Sequence, residues 1–331
     1  MHMNSGHVIV VLGMHRSGTS AITKALQVLG VSLGENLMSP AADNPTGFWE
    51  DNDVCRVNEA LLRHIEAAYD HLGLVGSLSW PHPVLAELRA EAAALLKARL
   101  ASCGGLWGFK DPRTCRLMDF WRPVLEASGC RVGVVLPLRN PLSVVRSLER
   151  RERMPAERGY MLWLEHVVCS VLSTGDVKNR VIVDYDRMME DPSRQLHRMA
   201  DRLGMAVDPV ACREFSNSFL DETLRHSRGS LRELARDSRA PHAVSELFHI
   251  LSDCADDRAD LQSRDLYLAC LDVARSIETW RPLLTYYNRL EDSLAEPVEA
   301  RNRWSVTEIR ALLRPGTLAR SVLGALPERR R

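Results

Sequence analysis

Apolar residues run unbroken from Val8 to Leu12 and then recur at Ala21, Ile22, Ala25, Leu26 and Leu29. The first pattern is that of a buried strand, the second that of an amphipathic helix, and a short polar loop separates them. Similar successions follow. Leu106 to Phe109 predicts a short strand that ends at Lys110-Asp111-Pro112-Arg113, which puts charged residues at a strand end. Val132 to Leu138 is a near-continuous apolar run, as expected of a parallel strand buried on both faces, and Val181 to Asp184 is a shorter one. Helical stripes lie between the strands. One runs through Val54, Val57, Leu61, Leu62 and Ile65 with Asn52 or Asp53 as its cap, and an alanine- and leucine-rich one covers Val84 to Leu100. A third uses Leu142, Val145 and Leu148, with Asn140 as N-cap and Pro141 as first helical residue. Strands alternating with helices predict an α/β fold, a doubly wound parallel sheet flanked by helices, with ligands at the carboxyl ends of the strands.

Two stretches break the pattern. Val31 to Trp49 holds Gly34, Pro40, Asn44, Pro45 and Gly47, and Gly73 to Pro83 is also irregular. Long ordered loops in compact domains are often functional. From about residue 216 strand signals stop. The expected division is therefore an α/β domain over residues 1–215 and a helical C-terminal extension over 216–331, closing in a mobile tail that ends Arg329-Arg330-Arg331. The acidic piece Asp253 to Asp260 reads as a solvated turn.

Lys and Arg total 43 and Asp and Glu total 43, so the chain offers no electrostatic case for a nucleic-acid partner, and any affinity for anions must be local. The 8 cysteines are scattered, without a C-x-x-C pair or a cysteine–histidine cluster at zinc spacing. They read as reduced thiols of a cytoplasmic protein without a metal site. No stretch has the character of a signal peptide or the length of a membrane span. Oligomeric state is not legible.

The loop between the first strand and helix is Gly13-Met14-His15-Arg16-Ser17-Gly18-Thr19-Ser20. Its two glycines have the spacing of a P-loop, in which backbone amides and a helix N-terminus surround an oxyanion. The P-loop lysine is missing. Thr19 stands where it belongs, and the cation comes earlier, at Arg16. Two further features sit at strand ends: Arg139 with Ser147 eight positions on, suited to clamping a phosphate, and Lys110 beside Trp107 and Phe109. Asp111 and Arg113 are placed to pair with each other.

An Arg followed by Ser-Gly-Thr-Ser, an R-x₇-S pair and a Lys-Asp-Pro segment, in this order, resemble the sulfotransferases that use 3′-phosphoadenosine 5′-phosphosulfate (PAPS). The likeness covers residues 8 to about 215 and leans towards bacterial members and the tyrosylprotein branch. It implies PAPS as donor, PAP as product and no required metal. It further implies His15, Arg16, Ser17, Gly18, Thr19 and Ser20 on the 5′-phosphosulfate, Arg139 and Ser147 on the 3′-phosphate, and Lys110 beside the transferring group. Arg228-Gly229, in the basic group Arg225, His226 and Arg228, resembles a C-terminal segment that meets the 3′-phosphate in cytosolic members. Val181 to Asp186 resembles the family's late strand, with a structural role.

Sulfuryl transfer to a hydroxyl needs a group that takes the acceptor proton. In the tyrosylprotein branch a glutamate after the first helix does this, which points to Glu50 here; Asp51, Asp53 and His15 are alternatives. The implied reaction moves a sulfuryl group to a hydroxyl or amine of a small-molecule, carbohydrate or lipid-linked acceptor, with Phe48, Trp49, Trp80 and Tyr160 as candidates for its pocket. A P-loop kinase or NTPase and a non-catalytic PAP-binding protein are the rival readings, the former set back by Thr19.

Overall fold

The computed structural model describes residues 6–41, 44, 46–74, 83–220 and 229–295. The strands are β1 (His7–Val11), β2 (Leu106–Lys110), β3 (Arg131–Leu138) and β4 (Asn179–Asp184), and they form one parallel sheet in the order β2-β1-β3-β4. The register aligns Val11 with Lys110 on one side and with Val135 on the other. β1 is therefore central, and the chain leaves its carboxyl end towards β2, whereas β3 lies on its opposite side. This is the switch point at which doubly wound sheets open a crevice.

Alternation along the strands divides the core. Ile9, Val11, Val135, Val181 and Val183 pack with Ile22 and Leu26 of the first helical segment, α1 (Thr19–Ala25) continued by a 3₁₀ turn over Leu26–Leu29. Leu196, Met199 and Leu203 of α8 (Pro192–Leu203) close the same layer. The opposite layer carries α4 (Thr114–Ala127), α5 (Pro141–Glu152) and α6 (Ala156–Ser173), with α2 (Asn52–His64) and α3 (Pro83–Ser102) against α4. Short α7 (Tyr185–Glu190) and α9 (Pro209–Glu214) flank α8. Asn140 caps α5, its Oδ1 accepting from Leu142 N at 3.0 Å, with Pro141 as the first helical residue. α2 departs from expectation: Asp51 is its cap, accepting from Asp53 N at 2.9 Å, and Asn52 is already helical.

Beyond residue 215 the described chain is helical, with α10 (Leu231–Arg236), α11 (His242–Ala255) and α12 (Arg264–Ala295). α11 lies on β3, β4 and α6, where Phe248 meets Trp163 edge to face at 6.3 Å, so this part of the chain completes a layer of the sheet. The acidic piece is a solvated turn only in part, and it is also a point of attachment. Asp253 belongs to α11, and Asp257 takes Arg198 Nε at 2.7 Å and Arg202 Nη2 at 2.9 Å, pinning the end of α11 to α8. Compact units cover Met1–Pro282 and Leu283–Arg331, the second described as far as the end of α12. No helix among the described residues is long and apolar enough to cross a membrane.

One buried ion pair ties the irregular segment after α2 to this frame. Arg116 on α4 and Glu165 on α6 lie 3.3 Å apart with almost no exposure. Arg116 donates to the carbonyls of His71 (2.6 Å) and Tyr69, while Glu165 accepts from Gly73 N at 2.5 Å and Leu74 N at 3.3 Å. Burial pushes the Glu165 carboxyl above its ordinary range, against the pull of Arg116. Glu165→Ala leaves an uncompensated buried guanidinium and should cost about 3–5 kcal/mol in urea unfolding. Glu126→Ala, which removes an exposed partner of Arg122, should cost at most about 0.5 kcal/mol. Equal losses would show that the buried pair does not anchor the segment.

Candidate functional site

The loop after β1 is shaped by contacts that leave no space for side chains. A Cβ on Gly13 would lie 2.7 Å from Thr19 and 3.0 Å from Pro137, and one on Gly18, where φ is 80°, would lie 2.1 Å from the ring of Tyr185. Arg16 also takes a left-handed conformation, φ 66°, which costs a non-glycine residue and persists only where its surroundings hold it. Ser17 turns inward, its hydroxyl donating to Met14 O at 2.6 Å. The first α1 bond runs from Ile22 N to Gly18 O at 3.2 Å, so the amides of Thr19 and Ser20 open the helix ahead of it.

Two arginines meet at this loop. Arg16 Nε donates to Ser147 Oγ of α5 at 2.8 Å, and Arg139, at the end of β3, donates to Arg16 O at 3.0 Å. The Arg139 guanidinium stacks over the Tyr185 ring at 4.7 Å. Tyr185, the first residue after β4, is thus a platform under both Gly18 and Arg139, a role that a structural reading of the late strand missed. Its signal in sequence is its place at a strand's carboxyl end, shared with Lys110 and Arg139. Asn140 Nδ2 also holds Gly229 O at 2.9 Å, and Gly229 N donates to Ser143 Oγ at 2.8 Å, which brings the segment before α10 to the start of α5. Arg225, His226 and Arg228 lie outside the described residues.

Lys110 ends β2 next to the loop. It is 2% exposed, and its Nζ donates to Glu50 Oε1 at 2.6 Å. Glu50 Oε2 faces Cys55 Sγ at 3.5 Å and Arg113 Nη2 at 3.9 Å, and burial among carboxylates pushes the Cys55 thiol far up. The alternative carboxylates have other partners: Asp51 and Asp53 each take a 2.6 Å bond from Arg99. Asp111 and Arg113 do pair, at 2.9 Å. The irregular 31–51 segment reaches the loop as well, with Ser20 Oγ donating to Phe48 O at 3.4 Å and Asn44 Nδ2 to Ser20 Oγ at 3.2 Å.

His15 points into a different wall. Its ring meets Tyr69 edge to face at 5.2 Å and His166 at 6.4 Å, and the Nε2 of both histidines is buried without a hydrogen-bond partner among the described residues. Burial, reinforced at His15 by Lys110, Arg113, Arg116 and Arg151 and at His166 mainly by Arg116, holds both imidazoles well below their ordinary pKa, hence neutral. Burial and then Glu152 push the Tyr69 phenol up to about 12. Nothing in the local sequence marks Tyr69 or His166, since Arg116 and Glu165 deliver them from remote positions. Of the candidate pocket aromatics, Tyr160 is a core residue, fully buried with its hydroxyl on Asp237 at 2.9 Å. Trp49 packs on the α1 layer with Lys24 Nζ 4.4 Å from its ring, Phe48 is half-buried at the loop, and Trp80 lies outside the described residues.

The fold and these contacts define an α/β protein whose strand ends gather a glycine loop, two arginines and a lysine–glutamate pair. Among the described residues no three His, Cys, Asp or Glu side chains come together as a metal site. No protein-family model matches the chain, and no curated protein matches it in sequence. Among solved structures it is similar to the sulfotransferase domain from the Synechococcus PCC 7002 olefin synthase, with 17% identity, a TM-score of 0.40, and 83% of this chain and 95% of that one covered. A second is the sulfotransferase domain from the curacin biosynthetic pathway, with 15% identity, a TM-score of 0.38, and 63% and 77% covered.

The buried histidines make stability depend on pH. The unfolded chain protonates them below about 6.5, whereas the folded chain resists, so their contribution is present above 6.5 and is lost as pH falls towards the depressed folded values. The Tm should therefore drop between pH 7.5 and 5.5, and His166→Gln should flatten that drop. An identical pH profile for His166→Gln would show that His166 is not held neutral.

Proposed function

We propose that the chain is a PAPS-dependent sulfotransferase acting on a hydroxyl or amine of a small-molecule, carbohydrate or lipid-linked acceptor. One observation carries the reading: Arg16, Ser147 and Arg139, distant in sequence, are joined by bonds of 2.8 and 3.0 Å at a glycine loop that has threonine where a nucleoside triphosphatase has lysine. The helix-opening amides and the hydroxyls of Ser17, Thr19 and Ser20 suit the 5′-phosphosulfate, and Arg139 with Ser147 suits the 3′-phosphate. In the transfer the sulfur–oxygen bond to the 5′-phosphate breaks as a bond from sulfur to the acceptor oxygen forms in line. The acceptor proton goes to Glu50, and Arg16 and Lys110 offset the charge that builds on the departing PAP.

If Arg139 and Ser147 hold a 3′-phosphate, PAP should raise the Tm far more than adenosine 5′-phosphosulfate, and ATP with Mg²⁺ should do little. Equal shifts from PAP and adenosine 5′-phosphosulfate would remove the basis of the assignment.

Kinetics separate the roles. Arg16→Ala and Lys110→Ala, at the transferring group, should lower kcat, whereas Arg139→Ala should mainly raise the donor KM. Glu50→Gln should lower kcat by about 10²–10⁴-fold. Normal turnover in Glu50→Gln alongside inactive His15→Asn would move the base to the imidazole.

A further inference from the structure

We infer that Lys110 is a donor-operated latch on Glu50: bound to the carboxylate until a donor anion draws its ammonium away, it uncovers the proton-accepting oxygen only when the donor is in place. The inference rests on the proposed reaction and adds a coupling between its two halves.

The geometry is specific. Lys110 is among the largest fully buried side chains, it follows the buried Trp107 and Phe109 on β2, and Glu50 is 6% exposed. Burying two charges costs more solvation than their attraction ordinarily returns, and an apolar pair would serve stability as well. Such a pair beside a glycine loop therefore calls for a reason other than stability. Glu50 Oε2 is taken up by Cys55 Sγ at 3.5 Å with Arg113 Nη2 at 3.9 Å, and Oε1, the oxygen that movement of the lysine would free, already accepts from Lys110 at 2.6 Å. An acceptor hydroxyl cannot use that lone pair while the ammonium occupies it.

The two partners differ in freedom. Glu50 is fixed by its backbone: its carbonyl accepts from Met38 N at 2.8 Å, Leu37 bridges to Asp51, and Asp51 is clamped by Arg99 while capping α2. The Lys110 Cα pairs in register with Val11 just ahead of the loop, and its side chain is buried beside Glu50. Beyond the Cα lies a flexible four-carbon stem whose ammonium has three donors, and among the described residues Glu50 is its one hydrogen-bond partner. The lysine ammonium is the end of the pair that a donor anion on the loop would attract, since β2 brings it into register with the residue just ahead of that loop. Other charges facing the pair are Arg113, 3.9 Å from Oε2, the Asp111 carboxylate that Arg113 holds, and Cys55, a neutral thiol by virtue of burial and those carboxylates.

A latch makes Glu50 a competitor of the donor for one ammonium. Glu50→Gln should then tighten PAP binding by about 5–10-fold in calorimetric titration, and Lys110→Met should weaken it. The decisive measurement is the same Glu50→Gln change made in the Lys110→Met background, where it should alter PAP affinity by less than 2-fold. General relief of repulsion between Glu50 and the anion would instead tighten binding in both backgrounds. Glu50→Asp, which keeps the charge but shortens the reach, should give a smaller gain and serves if the glutamine variant does not fold. PAP binding that is unchanged or weaker in Glu50→Gln, or tightened equally with and without Lys110, overturns the latch and leaves the proposed transfer intact. A wild-type chain that does not bind PAP overturns the transfer reading itself.

Discussion

Between the loop after β1 and the ring of Tyr185 there is no room for a Cβ atom. Gly18 turns at φ 80° directly on that ring, and Gly13 passes close by Thr19 and Pro137. Because interiors are close-packed and yield little, this contact fixes the path of the whole loop. It sets where α1 begins, which way its first amides face, and where Arg16 must turn to meet Ser147 on α5. Arg139 uses the other part of the same ring, so one tyrosine after the edge strand aligns groups that follow β1 and β3.

Two buried pairs of a cation with a glutamate act near this loop and do different things. Arg116 and Glu165 each bind backbone groups of the segment Tyr69 to Leu74 as well as each other, and together they hold Tyr69 against His15. Lys110 and Glu50 tie down no such segment through their side chains: the ammonium has one hydrogen-bond partner among the described residues and stands at a strand end beside the loop. A pair tied into the backbone on both sides acts as a rivet, while one held by a single bond can exchange partners. The neutral histidines at His15 and His166 fit the same field, in which Arg116 and its cationic neighbours oppose any further positive charge.

The C-terminal helices extend the fold more than they append to it. α11 covers the edge strand β4, and Asp257 locks its end to α8 through two arginines. Acidic residues that look solvated in one dimension are here the partners of basic residues on an earlier helix. The segment entering α10 reaches Asn140 and Ser143 through the backbone of Gly229, a contact that side-chain patterns cannot announce.

Sequence by itself determined the four buried strands, their alternation with helices, the cap and proline that start α5, and the glycine loop with threonine in the lysine's place and an arginine ahead of it. All of these rest on local rules: burial on both faces makes a strand uniformly apolar, an asparagine side chain reaches an amide two residues on, and glycine marks where a Cβ cannot fit. The α2 cap, Asp51, falls one residue before Asn52 and two before Asp53, because three polar residues in a row satisfy the same local rule. The tertiary structure alone decided that Glu50 lies on Lys110, that Tyr185 underlies the loop, that Tyr160 is core, and that Tyr69 and His166 surround His15. Each of these joins residues that are far apart in sequence, where the partner is set by the strand order and by which helix faces which layer, and no local pattern encodes that choice.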